Sequence, residues 1–223
     1  LVDKADVDET NATASIHNIS EVFEKTQVVP ETDALFFSKI AQKAQETEGY
    51  HSSTAASEYT KGKVYSKLKD ILSKGKLRRY KAQGALIMYV TGAIMDALEQ
   101  STEFTRKIEM TQIAEGGLGI ETRVTEIDGV PIMEVIDDER FYDAFDWEPE
   151  NGGSQPLKKK AESSTGKGDG VTGAHKINVL VACGLTCKIV PKISSIYYFD
   201  PGAHTKGDGY LYQNRSLSDV FVF

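Results

Sequence analysis

The sequence predicts an α+β fold, and three observations carry that expectation. Apolar residues recur at helical spacing through a long N-terminal stretch. The middle of the chain alternates helix with buried strand, and its close reads as strand almost throughout. A chain of 223 residues can bury one good core, undivided or in two lobes. Its composition, 40% hydrophobic and 26% charged, is that of an ordinary soluble protein. The net charge of −7 and pI near 5.2 argue against an electrostatically driven nucleic-acid binder, which would carry a basic excess. Leu1 opens a polar, acidic run with no apolar signal core. The absence of an initiator Met reads as a fragment of a longer product made in the cytoplasm. The most hydrophobic stretch, Val179–Cys187, is too short to span a bilayer.

The first element runs from Asp6 to Ala44. Ile16, Ile19, Val22 and Phe23 share one helical face, as do Phe36, Phe37, Ile40, Ala41 and Ala44. Pro30 lacks an N–H and biases Val29 away from the α region, which predicts two helices or one sharply kinked helix. Thr32 and Asp33 are candidate caps for the second segment. The apolar stripe on this rod is wide enough to need a substantial partner. Gln45–Glu58 is a polar connector or lobe boundary. Thr60 can cap a helix in which Val64, Tyr65, Leu68, Ile71 and Leu72 share a face, and Gly75 ends it. Ala85–Val90 is a buried strand feeding a short helix capped by Thr91, with Ile94, Ala97 and Leu98 turned inward.

Ile120–Ile136 is a hairpin, with Ile120, Thr122 and Val124 alternating against polar neighbours and Asp128-Gly129 as a two-residue turn with positive φ. Pro131 cannot donate to a ladder, so its strand lies at an edge or is paired on one side there. Phe141–Trp147 reads as a local aromatic core, and Asn151–His175, rich in Gly and Lys, as a long mobile loop. Strands follow at Asn178–Val181, Lys188–Phe199 and Tyr210–Phe223, with Asp200-Pro201-Gly202 turning between the last two.

No catalytic, cofactor-binding or metal-binding residue is predicted. Gly166-Lys167-Gly168 fails as a phosphate loop, because Ala161 stands where the leading Gly belongs and Gly168 where Ser or Thr belongs. His17, His51, His175 and His204 have no zinc-site spacing and read as surface residues. Cys183 and Cys187, spaced C-x3-C, read as buried free thiols. The carboxylates Asp137, Asp138, Glu139, Asp146, Glu148 and Glu150 read as solvated, and no G-x-S-x-G elbow marks a nucleophile.

Three blocks of the chain together resemble one family. They are Asp6–Thr10 with the helix after it and Gln27–Ala34 with the next; Glu126–Val135; and Lys192–Gly202 with Asp208-Gly209-Tyr210, Arg215 and Asp219–Val222. Their order and spacing resemble the tailed-phage major capsid proteins of the HK97-like fold, in the branch found in phages and prophages of Gram-positive bacteria. One departure is Ala182–Thr186, where many relatives have a His-Pro-containing turn.

The resemblance implies a peripheral domain with the long spine helix, at 1–58 and about 192–215, and an axial domain at 59–191 and about 216–223. It also implies an N-terminal arm and an extended loop upstream of Leu1. The implied function is self-assembly into hexamers and pentamers of an icosahedral shell in the virion, enclosing DNA without sequence-specific binding. Scaffolding and portal proteins would be further partners, with no membrane, cofactor or enzymatic role. The alternatives are a small-molecule-binding protein or enzyme on an α/β scaffold, for which no convergent polar site is visible, and an encapsulin-like compartment shell.

Overall fold

The computed structural model describes residues 2–9, 15–101, 109–115, 118–147, 159, 173–203, 207 and 209–223, with backbone alone for 109–125. Most of the predicted loop 151–175, the Gly166-Lys167-Gly168 run, His204, Glu148, Glu150 and the side-chain alternation from Ile120 to Val124 lie outside the described residues. The fold is mixed α+β, with both helices and sheets. Contacts divide it into a smaller unit, Leu1–Asp33 with Ile189–Phe221, and a larger one, Ala34–Lys188 with Val222–Phe223. The chain therefore changes unit within a helix and again within a strand.

The smaller unit opens with β1 (Val2–Asp3) and α1 (Lys4–Glu9). Ser15 starts α2 (Ile16–Phe23), its extended backbone and Oγ accepting the Asn18 N–H in the manner of an N-cap. Of the two expected forms, separate helices are not formed: the helical path runs on through Pro30, and Val29 is helical rather than pushed out of the α region. Glu24–Val28 form a π turn, and α3 (Val29–Glu46) continues with Phe23, Glu24 and Val29 all in right-handed helical geometry. A π turn re-spaces the backbone bonds where one donor is missing, and this is how a helix passes a proline without stopping. With no new N-terminus there, Thr32 does not cap; its hydroxyl donates back to the Val28 carbonyl at 2.8 Å.

The larger unit is built on a five-stranded sheet. In chain order its elements are α4 (Val64–Ser73), α5 (Leu77–Ala82), β2 (Leu86–Thr91), α6 (Gly92–Glu99), β3 (Glu109–Glu115), β4 (Leu118–Ile127), β5 (Val130–Val135) and β6 (Val179–Cys183). The strand order is β3-β4-β5-β2-β6, with β2 and β5 parallel and the other described pairings antiparallel. Thr60 does not cap α4 with its side chain; its carbonyl instead accepts the Lys63 and Val64 N–H groups. Gly75, at φ +50, turns α4 into α5, a helix too short to leave a periodic signal. Thr91 occupies the N-cap position of α6 with extended backbone, but its side chain makes no capping bond.

Alternation along the strands buries both faces of the sheet. Leu86, Met88 and Val90 of β2 join Val130, Ile132 and Cys183 under Val64, Leu68 and Leu72 of α4 and Ile94, Met95 and Leu98 of α6. On the other face Tyr89, Val135, Leu180 and Ala182 meet Phe37, Ile40 and Ala41 of α3 and Phe141. Phe141 is fully buried and edge-on to Phe37 at 5.0 Å, so the aromatic run is anchored in the main core rather than only in itself.

Asp128 and Gly129 have φ of 52° and 81°, as the two-residue turn requires, and the pairing closes at Ile127 opposite Val130. Pro131 pairs with Glu126 of β4, while the β2 ladder begins only at Ile132, so the proline sits where one side is unpaired. Cys183 and Cys187 do not share a strand. They flank the turn Gly184–Thr186 between β6 and β7 (Cys187–Phe199), both free, with Cys187 half-buried rather than buried. The last strand, β8 (Gly209–Val222), lies between β1 and β7 in a three-stranded sheet. Among the described residues no helix is long and apolar enough to cross a membrane.

Two outcomes follow from this packing. Phe141→Ala should lower the free energy of unfolding by about 3–5 kcal/mol in denaturant titration, the usual cost of emptying a buried aromatic site. Asp128 is held below the usual carboxylate range, first by its hydrogen bond from Lys81 at 3.0 Å and also by Lys69 at 3.6 Å. A depressed folded value means stability present above about pH 4 and lost as pH falls through it. Asp128→Asn keeps a residue that tolerates positive φ, so its lower thermal midpoint at pH 7 should converge on the parent's as the pH drops below about 4.

Candidate functional site

The polar groups that could suggest chemistry are held in structural pairings. Asp137 caps a short 3-10 turn through the Glu139 N–H and pairs with Arg140 at 3.3 Å; Asp138 pairs with Lys176, and Glu139 with Lys159 at 2.7 Å. The expected solvated acidic run is thus a set of partly exposed ion pairs. His175 is exposed, as predicted, but it is not idle. Its N–H donates to Asp143 Oδ1 at 2.6 Å, and its ring Nδ1 lies 3.3 Å from Oδ2. The buried Asp143 also accepts from Gln45 Nε2 at 2.8 Å, and its backbone carbonyl from Gln42 Nε2 at 3.2 Å. This carboxylate clasps the far end of a long segment to α3. Its partner lies 32 positions away, so no local motif announces it. Among the described residues no group of three or more His, Cys, Asp or Glu could hold a metal ion.

A groove of ≈ 430 Å³ lies within the smaller unit, lined by Ile16, His17, Ser20, Glu21 and Glu24 of the helix and by Ile196, Tyr198 and Tyr212 of the sheet. Glu21 is held below its usual range by the hydrogen bond from Lys25 at 2.6 Å. The Tyr198 hydroxyl is pushed above its usual range, first by partial loss of water and then by Asp200. Neither shift prepares a group for acid–base work near neutral pH. Both keep the group in its ordinary charge state.

The feature that sets the smaller unit apart is uncovered apolar surface. Ile19, Val22 and Phe23, the predicted stripe of α2, are 47%, 60% and 55% exposed, and Val29 follows on the same helical path. In β7, Ile189 and Val190 are exposed, as are Ile196, Tyr197 and Tyr198; in β8, Leu217 and Phe221 are exposed. Successive strand residues point to opposite faces, so β7 carries uncovered apolar groups on both. Both hydrophobic clusters of buried residues lie wholly within the larger unit. The second half of the helical stripe, Phe37, Ile40 and Ala41, is buried there, as the periodicity predicted. The first half has the same pattern and no such cover among the described residues.

These side chains are already about half covered, so each would gain on the order of half the roughly 1.5–3 kcal/mol of a complete burial, and several of them together amount to a drive toward a partner surface. Comparison with family models, with curated proteins and with solved structures gives no significant match to this chain.

Replacing Ile19, Val22 and Phe23 together by Gln should leave the denaturation midpoint nearly unchanged, since the side chains are exposed and Gln is a good helix former. The same variant should bind markedly less of an apolar fluorescent dye such as ANS.

Proposed function

We propose that the chain is a structural subunit of an icosahedral phage or prophage shell of the HK97-like type, working by self-association rather than catalysis. The observation that carries this reading is the smaller unit's exposed apolar surface on α2, β7 and β8, in contrast to the larger unit, which buries its own core. A protein that worked alone would leave that surface unfavourably hydrated, whereas repeated contact with neighbouring copies would remove it from water. Heterologous contacts of this kind close into rings, and the rings tile a shell.

The order of elements supports the same reading. A helical path from Ile16 to Glu46 precedes a compact helix–strand–helix unit, and two strands of 13 and 14 residues close the chain. The family resemblance itself rests on the three sequence blocks, and the first and last of them fall largely on this helical path and these two strands. The shell would be assembled in the bacterial host cytoplasm as hexameric and pentameric rings, with scaffolding and portal proteins as further partners. It would enclose the DNA genome.

The test is to purify the complete gene product from cells, size it on a column and image it by negative stain. Rings or closed shells are expected, and the Ile19/Val22/Phe23 triple Gln variant should shift the population toward monomer. A parent protein that stays monomeric at every concentration, with scaffold co-expressed, would sink the proposal.

A further inference from the structure

The overall negative charge of the chain conceals a local exception. From Lys74 to Lys81 five of eight residues are basic: Lys74, Lys76, Arg78, Arg79 and Lys81. Lys81 is tied to Asp128 at 3.0 Å, and Lys69, one turn back on α4, shares the same carboxylate. Lys74, Lys76, Arg78 and Arg79 are exposed and have no carboxylate partner among the described residues. Of the other described lysines, Lys25, Lys43, Lys67, Lys159, Lys176 and Lys192 are paired, and those that are not, Lys4, Lys39, Lys61, Lys63 and Lys188, are spread along the chain rather than gathered at one corner.

The corner that bears these cations is well anchored. Gly75 takes φ +50 to turn the chain, and the Tyr50 hydroxyl accepts the Lys76 N–H at 3.0 Å. Leu77 and Tyr80 pack against the core cluster of the larger unit, which leaves Arg78 and Arg79 on the outer side of α5. Four free cations are thereby held close together on a firm backbone.

We propose that this corner contacts the phosphate backbone of duplex DNA, without sequence preference. The chemistry of the surroundings favours nucleic acid over a protein partner. Protein interfaces centre on desolvated apolar and aromatic groups; they are depleted in Lys, and the Arg they favour sits beside such groups. No large apolar residue between Tyr59 and Gln83 is exposed, and Tyr50, which reaches the corner through its hydroxyl, is 36% exposed. Phosphate contacts, in contrast, are made by solvated Lys and Arg and need no apolar centre. The overall charge of −7 opposes binding, so the contact is weak and confined to low salt for a single copy. Repetition over many copies would strengthen it by avidity. The inference deepens the shell reading by giving the enclosed genome a point of contact, but its test uses unassembled chain, so either reading can fail alone.

The experiment is fluorescence anisotropy of a labelled mixed-sequence 20-base-pair duplex titrated with the purified chain from 50 to 200 mM NaCl. Four phosphate contacts predict a slope of log K against log salt of about −3.6, a loss on the order of 10²-fold over that range. Replacing Lys74, Lys76, Arg78 and Arg79 by Gln should reduce affinity at 50 mM at least tenfold and flatten the slope, with the thermal midpoint unchanged. The rival basic run, Lys158-Lys159-Lys160, supplies the control: its Gln variant should bind as the parent does. Absence of binding at 50 mM, or loss of binding in the 158–160 variant instead, would overturn the proposal. So would self-association without DNA that disappears in the 74–79 variant, which would assign the corner to a second copy.

Discussion

Strand β2 has to be covered on both of its faces, and the larger unit is arranged to do so. Met88 and Val90 point to one side and Tyr89 to the other, so one layer of helix cannot satisfy the strand. Helices α4 and α6 supply the first cover and the second half of α3, with Phe141, the other. Strands paired on both edges and buried on both faces read as near-continuous apolar runs, and Ala85–Val90 does. The neighbouring pieces follow from this demand. The tight Asp128-Gly129 turn brings β5 back in register, and the Asp143 clasp fastens the chain beyond Phe141 to α3.

The smaller unit has no comparable constraint satisfied within the chain. Its helix and its two long strands carry apolar groups in regular patterns, yet most of them remain in water among the described residues. The free energy that organises the larger unit from within is, in the smaller one, still available to an association. A small core with uncovered faces is marginal by itself, and association would make its stability depend on concentration.

Much of the fold was legible because it follows from short-range rules. The positions of Val64, Leu68 and Leu72, the strand into α6, and the paired positive φ values at Asp128 and Gly129 all stem from periodicity or turn chemistry. What was not legible depended on alternatives of similar energy or on distant partners. Pro30 has two responses, stopping a helix or being absorbed by a π turn, and local sequence does not separate them. Thr60, Thr91 and Thr32 are good capping residues whose hydroxyls make no capping bond here. The apolar stripe of α2 was visible, but periodicity reports only that a face needs covering; it does not say whether the cover comes from the same chain. Asp143 with Gln45 and His175 joins positions far apart, which no spacing rule could pair.

The Asp143–His175 pairing has one consequence for how freely the sequence between them can vary. The Asp143 N–H donates to the His175 carbonyl at 3.0 Å while the His175 N–H returns to the Asp143 carboxylate, so the segment leaves and re-enters the core at adjacent points. Closing a loop whose ends are already fixed costs only about 0.6 kcal/mol more for each doubling of its length. Added length between these anchors should therefore cost little so long as Phe145 and Lys159, which bridge to each other, are left in place. The fixed frame is then Asp143, Gln45 and the backbone at His175, with Phe145 and Lys159 as further fixed points inside the segment.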